Sequence, residues 1–461
     1  MMLAAAKVVG VRSASLVTAL ILMPMTAPAS AETLRDALAK AYATNPELLS
    51  EQANLRAVDE GVPQALANWR PTVTLSGETS YETVDRAGGN TLRHPRILEL
   101  TVRQPIYRGG RTVNETRQAE QEVLAGRARL HSKEQEVLLS AARAYMNVVR
   151  DESVLRFNRA NQQRVARQLQ ATRDRFRVGE ITRTDVAQAE ARLARAKAER
   201  IQAEGVLVNS REAYRRVVGS APGKLTRPMI KLVFPANSEE SRALSRVHNP
   251  DVVNARHRQN AARHNVRKIR GELLPSVDLR GSLSAEHDTS GSGNPRNTAE
   301  LMAELTVPLY QKGDVFSRVR EARQVLRQRA EDLEIAQRIA VEAAASTWNS
   351  LQTARAEVQS FKAEVRANEI ALDGVQREAL VGSRTVLDVL DAEQELLDAN
   401  VNLVRSERDE LVARFELKSA VGGLTARELK LPVDIYDPER YYRRVRNRWF
   451  GGDGSGASEP R

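Results

Sequence analysis

The sequence contains no cysteine, and this absence removes several kinds of chemistry. Disulfide frameworks, thiolate nucleophiles and cysteine-containing zinc sites are excluded, and so is a lipid-anchored N-terminal cysteine. Only 4% of the 461 residues are aromatic, whereas 28% are charged. Few side chains are therefore available to fill a thick core, and such a composition favours long helices that bury narrow apolar stripes.

Long apolar runs are also scarce, and the one near the N-terminus predicts a signal peptide over 1–31. Lys7 and Arg12 precede an apolar run over 14–25, and the small residues Ala29-Ser30-Ala31 follow it. A single membrane anchor is the alternative, but this run is shorter than the roughly 20 residues that a bilayer requires. No later segment reaches that length without charges, so any other membrane insertion would use strands.

The net charge of +11 would suggest nucleic acid in a cytosolic protein, but an exported chain meets little of it. Most arginines also alternate with glutamates, as is typical of solvated helix faces. Only the tail, 431–461, concentrates basic and aromatic residues, over 441–450. We expect this stretch to be a solvated, partly docked helix, or else to contact a protein partner or lipid phosphates, and we expect the end of the tail to be disordered.

Nothing in the chain predicts catalysis, a cofactor site or a metal site. The segment 219–224 resembles a phosphate-binding loop, but it has one residue too few between its glycines, and Leu225 stands where Ser or Thr is required. His257 and His264 share a helical face without the carboxylates that a metal site would add. We therefore do not expect an enzyme.

The chain after the predicted signal peptide consists of two halves with similar sequences. Asn45-Pro46 returns as Asn249-Pro250, and Val178-Gly179 returns as Val381-Gly382, each about 200 residues later. This period is too long for a solenoid unit and indicates two like halves, a first repeat over 32–235 and a second over 236–430.

Each half has the same order of local patterns: a helix, a hairpin of two strands and a long helical hairpin. Apolar and polar residues alternate strictly over 73–81 and 98–103, and again over 277–286 and 301–307. A period of two with one apolar face predicts strands, so we expect β-hairpins at about 71–107 and 275–310, joined by turn-rich loops over 85–90 and 289–295. Four strands cannot close a barrel, so a membrane interpretation requires several chains to pool their hairpins.

The rest of each half is almost uninterrupted helix, over 111–177 and 314–380, followed by a returning helix. Each long run would span roughly 100 Å at the rise of an α-helix. Apolar residues in the last helix follow a coiled-coil spacing, at Val389, Ala392, Leu396, Ala399 and Leu403. A second apolar line runs beside them, which favours a wall of closely packed helices.

The turns of these helical hairpins, near 179–184 and 382–387, form the candidate site. Gly179 and Gly382 are predicted to end the long helices in the left-handed conformation, and Thr182 and Thr385 to restart them, with Asp185 and Asp388 three residues on. Asp391 is different, because its first-half counterpart is Gln188 and capping does not require it. In a ring of subunits, Asp388 and Asp391 would form a negative collar, as in cation-selective pores.

These patterns resemble the TolC family of outer-membrane channel-tunnel proteins over essentially the whole mature chain. The best match is 381–391, supported by its repeat at Val178, by the two Asn-Pro pairs and by 419–422. The resemblance implies a homotrimer, with a long α-helical barrel and a 12-stranded transmembrane β-barrel built from four strands per chain. It places the family's paired aspartates on Asp388 and Asp391, and its gating arginine on Arg384 with partners Thr184 and Asp185. Ala379 stands where the family has a gating tyrosine.

The function that the resemblance implies is an outer-membrane exit duct of a tripartite export system. Its partners would be a periplasmic adaptor and an inner-membrane exporter, and its location the outer membrane, with a long periplasmic part. The tail resembles members that serve type I secretion, and the cargo is expected to be protein, small molecules or both. Two other classes stay open at this point: a periplasmic coiled-coil scaffold without channel activity, and a secreted polyanion binder.

Overall fold

The computed structural model describes residues 32–86, 89–228, 232–289 and 293–451. The predicted signal peptide and the last ten residues of the tail lie outside these ranges. The first half contains helices α1 to α5 and strands β1 to β4: α1 Leu34–Thr44, α2 Pro46–Asp59, α3 Gly61–Ala67, β1 Thr72–Thr79, β2 Glu82–Arg86, β3 Gly89–Arg93, β4 Arg96–Arg108, α4 Arg111–Arg177 and α5 Arg183–Val218. The second half and tail contain α6 Ser238–His248, α7 Pro250–Arg270, β5 Ser276–His287, β6 Pro295–Thr306, α8 Asp314–Leu380, α9 Val386–Ala420 and α10 Arg440–Val445.

The repeated Asn-Pro pairs begin equivalent helices in the two halves. The Asn45 side chain accepts a hydrogen bond from the Glu47 N–H at 2.9 Å, and the Asn249 side chain accepts one from the Asp251 N–H at the same distance. In each pair the proline occupies the first helical turn, where a missing N–H costs nothing. The two halves therefore start α2 and α7 by the same local chemistry.

Four strands form one antiparallel sheet in the order β1-β4-β5-β6. The two predicted hairpins are confirmed, and pairing of β4 with β5 joins them. Residues paired across an antiparallel sheet share a face, and one face is apolar: Val73, Leu75, Leu98, Leu100, Val102, Leu279, Leu283, Ala285, Ala299, Leu301, Ala303 and Leu305. The other face is polar and carries the ion pairs Arg103–Asp278 at 3.0 Å and Arg280–Glu99 at 3.4 Å.

The strand bounds differ from the sequence prediction in two places. The loop predicted over 85–90 is wrong, because β2 extends to Arg86 and β3 begins at Gly89, and these two strands pair as a separate ribbon. In the second half β6 ends at Thr306, so 307–310 lies outside the strand. Pro308 has no N–H to donate to a ladder. Its counterpart Pro105 lies within β4 at a bulge, where the register shifts before Tyr107.

The helices lie side by side, and their lengths decide which neighbours they have. In the half of the molecule away from the sheet the order is α5-α4-α9-α8. Helices α5 and α9 have 36 and 35 residues against 67 in α4 and α8, so each covers about half of its long partner. Near the sheet, α7 packs between α4 and α8 instead. None of the described helices is both long enough and apolar enough to cross a membrane.

The largest buried cluster lies at mid-length, where α1, α5, α9 and the start of the tail pack around the middle of α4. Tyr145 of α4 is fully buried there, and its hydroxyl lies 2.7 Å from the Thr226 carbonyl and accepts the Thr226 N–H at 3.0 Å. This core fixes α4 against α1, α5 and α9.

The tail folds back along α2 and α4. Tyr441 donates a hydrogen bond to Glu60 at 2.6 Å, and Arg446 forms an ion pair with Glu120 at 3.0 Å. Arg127 of α4 pairs with Glu439 at 3.1 Å and places its guanidinium 5.2 Å from the centre of the Tyr442 ring. Residues 439–446 are therefore a docked segment, one of the alternatives that the sequence left open.

Asp59, at the end of α2, is fully buried, and neither carboxylate oxygen has a hydrogen-bond partner among the described residues. Burial raises its pKa from 3.8 to about 6, partly offset by Arg127. A raised carboxyl pKa means that the folded state holds the proton more tightly, so stability falls as the pH rises from about 4 to about 6. We expect Asp59→Asn to stabilise the protein at neutral pH by on the order of 3 kcal/mol, since each pKa unit is worth about 1.4 kcal/mol.

Unfolding midpoints of the wild type and of Asp59→Asn, measured at about pH 4 and about pH 8, test this expectation. The two proteins should differ at the higher pH and converge at the lower one. Glu120→Gln is the control, because Glu120 pairs with Arg446 at 3.0 Å and its loss should not stabilise the protein. Equal midpoints for wild type and Asp59→Asn at both pH values would contradict the account.

Candidate functional site at the two hairpin tips

Each long helix ends at a glycine in the left-handed conformation, as predicted. Gly179 has φ 78° and Gly382 has φ 79°, and a Cβ at either position would meet nothing within 4 Å. Glycine is therefore favoured by the backbone angle rather than by packing. The N–H groups of Glu180 and Ser383 return to the carbonyls of Arg175 and Glu378, each at 3.0 Å, and close the last turn.

The returning helices start with the capping boxes that the sequence predicted. Asp185 accepts hydrogen bonds from the N–H and hydroxyl of Thr182 at 2.9 and 2.7 Å, and Asp388 accepts the same pair from Thr385, both at 2.8 Å. Hydrogen bonds from the Thr182 side chain and backbone lower the pKa of Asp185, and those from the Thr385 backbone and side chain lower the pKa of Asp388. Both tips therefore present a fixed anion at neutral pH.

Asp391 forms an ion pair with Arg192 of α5, so this carboxylate joins the two hairpins of one chain. Sequence reasoning missed Arg192. Its repeat partner is Glu395, and this reversal of charge between the halves was the available signal. The pairing also depends on α5 approaching α9, which a one-chain sequence pattern does not specify. Asp391 therefore belongs to the contact between hairpins as well as to the tip.

Arg384 lies in the second tip and pairs with Glu378, at the end of α8, at 2.8 Å. Both side chains are about half exposed. Within the described chain, the structure does not bring Arg384 onto Thr184 or Asp185: Thr184 is exposed, and Asp185 is held by Thr182. Contact of Arg384 with Thr184 and Asp185 stays a prediction for the assembled protein. The carbonyl of Ala379 accepts the Gly382 N–H at 3.2 Å, a backbone role.

A small apolar cluster holds the hairpins together behind the tips. Val165 and Leu169 of α4 pack with Ala189 of α5 and Leu390 of α9. One turn further along α9, Glu393 is buried, and one of its carboxylate oxygens has no hydrogen-bond partner among the described residues. Burial raises its pKa, and the charges of Arg164 and Arg167 partly offset the effect. Sequence reasoning did not single out this carboxylate, because its burial depends on how α4 packs against α9.

Arg192→Ala is expected to loosen the contact between the two tips. Arg192 and Asp391 are partly exposed, and exposed ion pairs contribute about 0.2–1 kcal/mol. We therefore expect amide hydrogen exchange at the start of α5 and of α9 to rise by a factor of up to about 5, since 1.4 kcal/mol corresponds to a factor of 10.

Arg195→Ala is the matched control for this measurement. Arg195 lies one turn further along α5 and pairs with Glu199 of its own helix, at 2.7 Å. Its loss should change exchange in α9 less than the loss of Arg192 does, because Arg195 acts on α9 only through the charge of Asp398. If Arg192→Ala and Arg195→Ala give the same exchange in α9, the Arg192–Asp391 pair does not join the hairpins.

The arrangement is mechanical and electrostatic rather than catalytic. The described residues contain no group of histidines, aspartates and glutamates able to hold a metal ion. The molecule instead has anionic tips that turn at glycines at one end of α4 and α8 and, at the other end, a sheet with one apolar and one polar face. Such a chain can line a passage along the helices and through a layer of hydrocarbon.

Comparison with known proteins agrees with this arrangement. The family model described as outer membrane efflux protein matches residues 37–220 and again 242–423, once in each half. The outer membrane efflux protein BepC of Brucella suis is 34% identical over 92% of this chain and 92% of its own length. The alkaline protease secretion protein AprF of Pseudomonas aeruginosa is 26% identical over 73% of this chain and 71% of its own.

Solved structures share the fold. The outer membrane protein VceC of Vibrio cholerae superposes with a TM-score of 0.74 at 21% identity, over 85% of this chain and 96% of that one. The mainly helical fold with a small antiparallel sheet and the resemblance to the TolC family are both confirmed. This chain therefore belongs to the outer membrane efflux protein family, and it is a channel-family protein of the bacterial outer membrane, not an enzyme, with a long periplasmic helical part.

Proposed function

We propose that this protein is the outer-membrane exit duct of a tripartite export system, conducting substrates from an inner-membrane exporter across the periplasm and the outer membrane. The observation that carries the proposal is the placement of two unlike ends on one chain. Helices of 67 residues, roughly 100 Å long, separate an amphipathic sheet from a pair of anionic hairpin tips. A soluble scaffold does not need the exposed apolar face of the sheet.

The sheet supports a homotrimer. Strands β1 and β6 are its free edges, and the apolar face between them is exposed, with Leu75 at 66% and Leu301 at 76%. Open edges and unpaired backbone groups are not tolerated in hydrocarbon, so the edges must pair with other chains. Three copies of four strands give the 12-stranded barrel of the family resemblance, with the face of Arg103 and Asp278 towards the lumen.

The tips support a gate at the periplasmic entrance. Gly179 and Gly382 mark the tips, the pairs Arg192–Asp391 and Arg384–Glu378 hold them, and Asp388 and Asp391 form the ring that faces the entering substrate. In the trimer we place Arg384 against Thr184 and Asp185 of a neighbouring hairpin pair. Each exposed pair contributes only about 0.2–1 kcal/mol, whereas moving a gate from mostly closed to mostly open needs about 5.5 kcal/mol of differential binding. A periplasmic adaptor and the exporter supply that difference.

The cargo is proposed to be protein by type I secretion, small molecules, or both. BepC is named for efflux and AprF for the secretion of alkaline protease, and the chain resembles each over most of its length. Deleting the chain from its bacterium and restoring it on a plasmid tests the proposal. Secreted proteins in the medium and growth in the presence of toxic compounds are measured separately. At least one should fail on deletion and recover on restoration; if neither changes, the export function is wrong.

A further inference from the structure

The base of the sheet carries aromatic and basic residues that the strands alone do not account for. Trp69 and Arg70 lie immediately before Pro71 and β1. Gln104, near the end of β4, donates a hydrogen bond from its side chain to the Trp69 carbonyl at 2.8 Å. Trp69 and Arg70 are therefore fixed at the edge of the sheet where the strands meet the periplasmic helices.

The C-terminal tail reaches this same end of the sheet, next to the helices. The Arg70 guanidinium donates to the Arg448 carbonyl at 2.7 Å and lies 4.9 Å from the centre of the Trp449 ring. Beyond this contact Trp449 is 57% exposed and Phe450 86% exposed. We call Trp69, Arg70, Trp449 and Phe450 the basal cluster. Two of its four members come from the end of the chain, about 380 residues from β1 in sequence.

The position of the basal cluster relative to the membrane, which we call its height, follows from the position of the sheet. The apolar face of the sheet contacts hydrocarbon along the length of the strands. Thr72, where β1 begins, therefore lies where hydrocarbon gives way to headgroups. Tryptophan is enriched at that level, because its ring is apolar while its N–H is polar. Exposed aromatic side chains at this position are therefore better accommodated by the membrane surface than by water.

The charge of the approaching segment matches the same surface. Residues 440–448 contain five arginines and no carboxylate. Arg443 and Arg446 pair with acidic groups, whereas the Arg444 guanidinium lies 5.1 Å from the centre of the Tyr441 ring. Basic residues beside a membrane-inserted element bind anionic headgroups, and arginine does so through paired donors to phosphate.

We infer that residues 440–450 are a membrane anchor, in which Trp449 and Phe450 insert at the periplasmic surface of the outer membrane while Arg440 and Arg444 bind anionic phospholipid headgroups. Docking of Tyr441, Tyr442 and Arg446 on α2 and α4 holds the anchor at the correct height. The inference rests on the position of the sheet in the outer membrane and not on export activity, so loss of export would not bear on it.

Tryptophan fluorescence in vesicles tests the anchor, because the chain has only three tryptophans, at 69, 348 and 449. Three full-length variants each keep one: W69F/W348F, W348F/W449F and W69F/W449F. Each is reconstituted into phosphatidylethanolamine vesicles, with or without phosphatidylglycerol, using lipids brominated close to the headgroup. Trp348 is the control, because it lies in α8 roughly 50 Å along the helix from the sheet.

We expect bromolipid to remove most of the Trp449 and Trp69 emission and to leave Trp348 unchanged, with stronger quenching of Trp449 when phosphatidylglycerol is present. Quenching of Trp69 without Trp449 would overturn the anchor. Iodide would then tell whether Trp449 faces water or is covered by protein. No quenching of either residue would overturn the height assigned to the basal cluster, and equal quenching of Trp449 in both lipid mixtures would overturn its preference for anionic headgroups.

Discussion

Replacing Asp388 and Asp391 together by asparagine is expected to remove most of the cation selectivity of the proposed channel in a planar lipid bilayer. Asparagine keeps an oxygen for the Thr385 cap but removes the charge, so the tip should stay folded while the collar becomes neutral. Fixed anions at an aperture favour cations. The reversal potential under a salt gradient measures the effect, and it should move from the value of a cation-selective pore towards zero, with Asp185 of the first tip left as a fixed anion.

The structure divides this effect unequally between the two residues. Arg192 neutralises Asp391 within the chain, whereas hydrogen bonds from Thr385 hold Asp388 as an anion. Asp388→Asn alone should therefore account for most of the change. Asp373→Asn is the control: it removes a carboxylate paired with Arg377, about 10 Å further along α8 from the tip. If the double variant had unchanged selectivity, the two aspartates would not lie in the ion path.

Gly109→Ala is expected to prevent assembly of the protein. Gly109 joins β4 to α4 with φ 62°, and a Cβ there would lie 2.2 Å from the Gly271 carbonyl oxygen at the end of α7. Neither backbone can move without disturbing the sheet above and the helices below. The cost therefore exceeds the roughly 1–2 kcal/mol that the left-handed backbone angle alone costs an L-residue. The yield of oligomer that resists heating in detergent measures the loss.

Gly313→Ala is the matched control for Gly109→Ala. Gly313 begins α8 with φ 78°, but a Cβ there would meet nothing within 4 Å. The second-half counterpart of Gly109 is Lys312, which itself adopts φ 53°, so the backbone angle alone does not require glycine there. Gly313→Ala should therefore assemble with only slightly lower heat resistance. Equal losses in the two variants would show that backbone angle, not close approach, sets the requirement.

Local signals in the sequence were sufficient for the elements and their ends. The capping boxes at Thr182 and Thr385 and the left-handed glycines at 179 and 382 depend on residues within six positions of one another, so their chemistry could be predicted directly. Strict alternation likewise assigned the apolar face of the sheet, because a period of two leaves little choice of register. The family resemblance added the fold as a whole.

Lateral packing could not be predicted in the same way. The Arg192–Asp391 pair and the burial of Glu393 depend on α9 lying between α4 and α8. An apolar stripe predicts that a helix packs against something, but it does not specify which helix. The β2–β3 ribbon was missed because its turn residues hid two short strands. The tail's contact with Arg70 joins segments far apart in sequence, for which no periodicity exists.

Single-channel recording of the purified wild-type protein in a planar lipid bilayer tests the central proposal most directly. The duct predicts discrete conductance steps that favour cations, because three copies of the sheet would enclose a polar lumen and the tips would place carboxylates at its entrance. If neither the wild type nor Arg192→Ala/Arg384→Ala forms channels, the protein is not a duct, and a periplasmic scaffold becomes the better account.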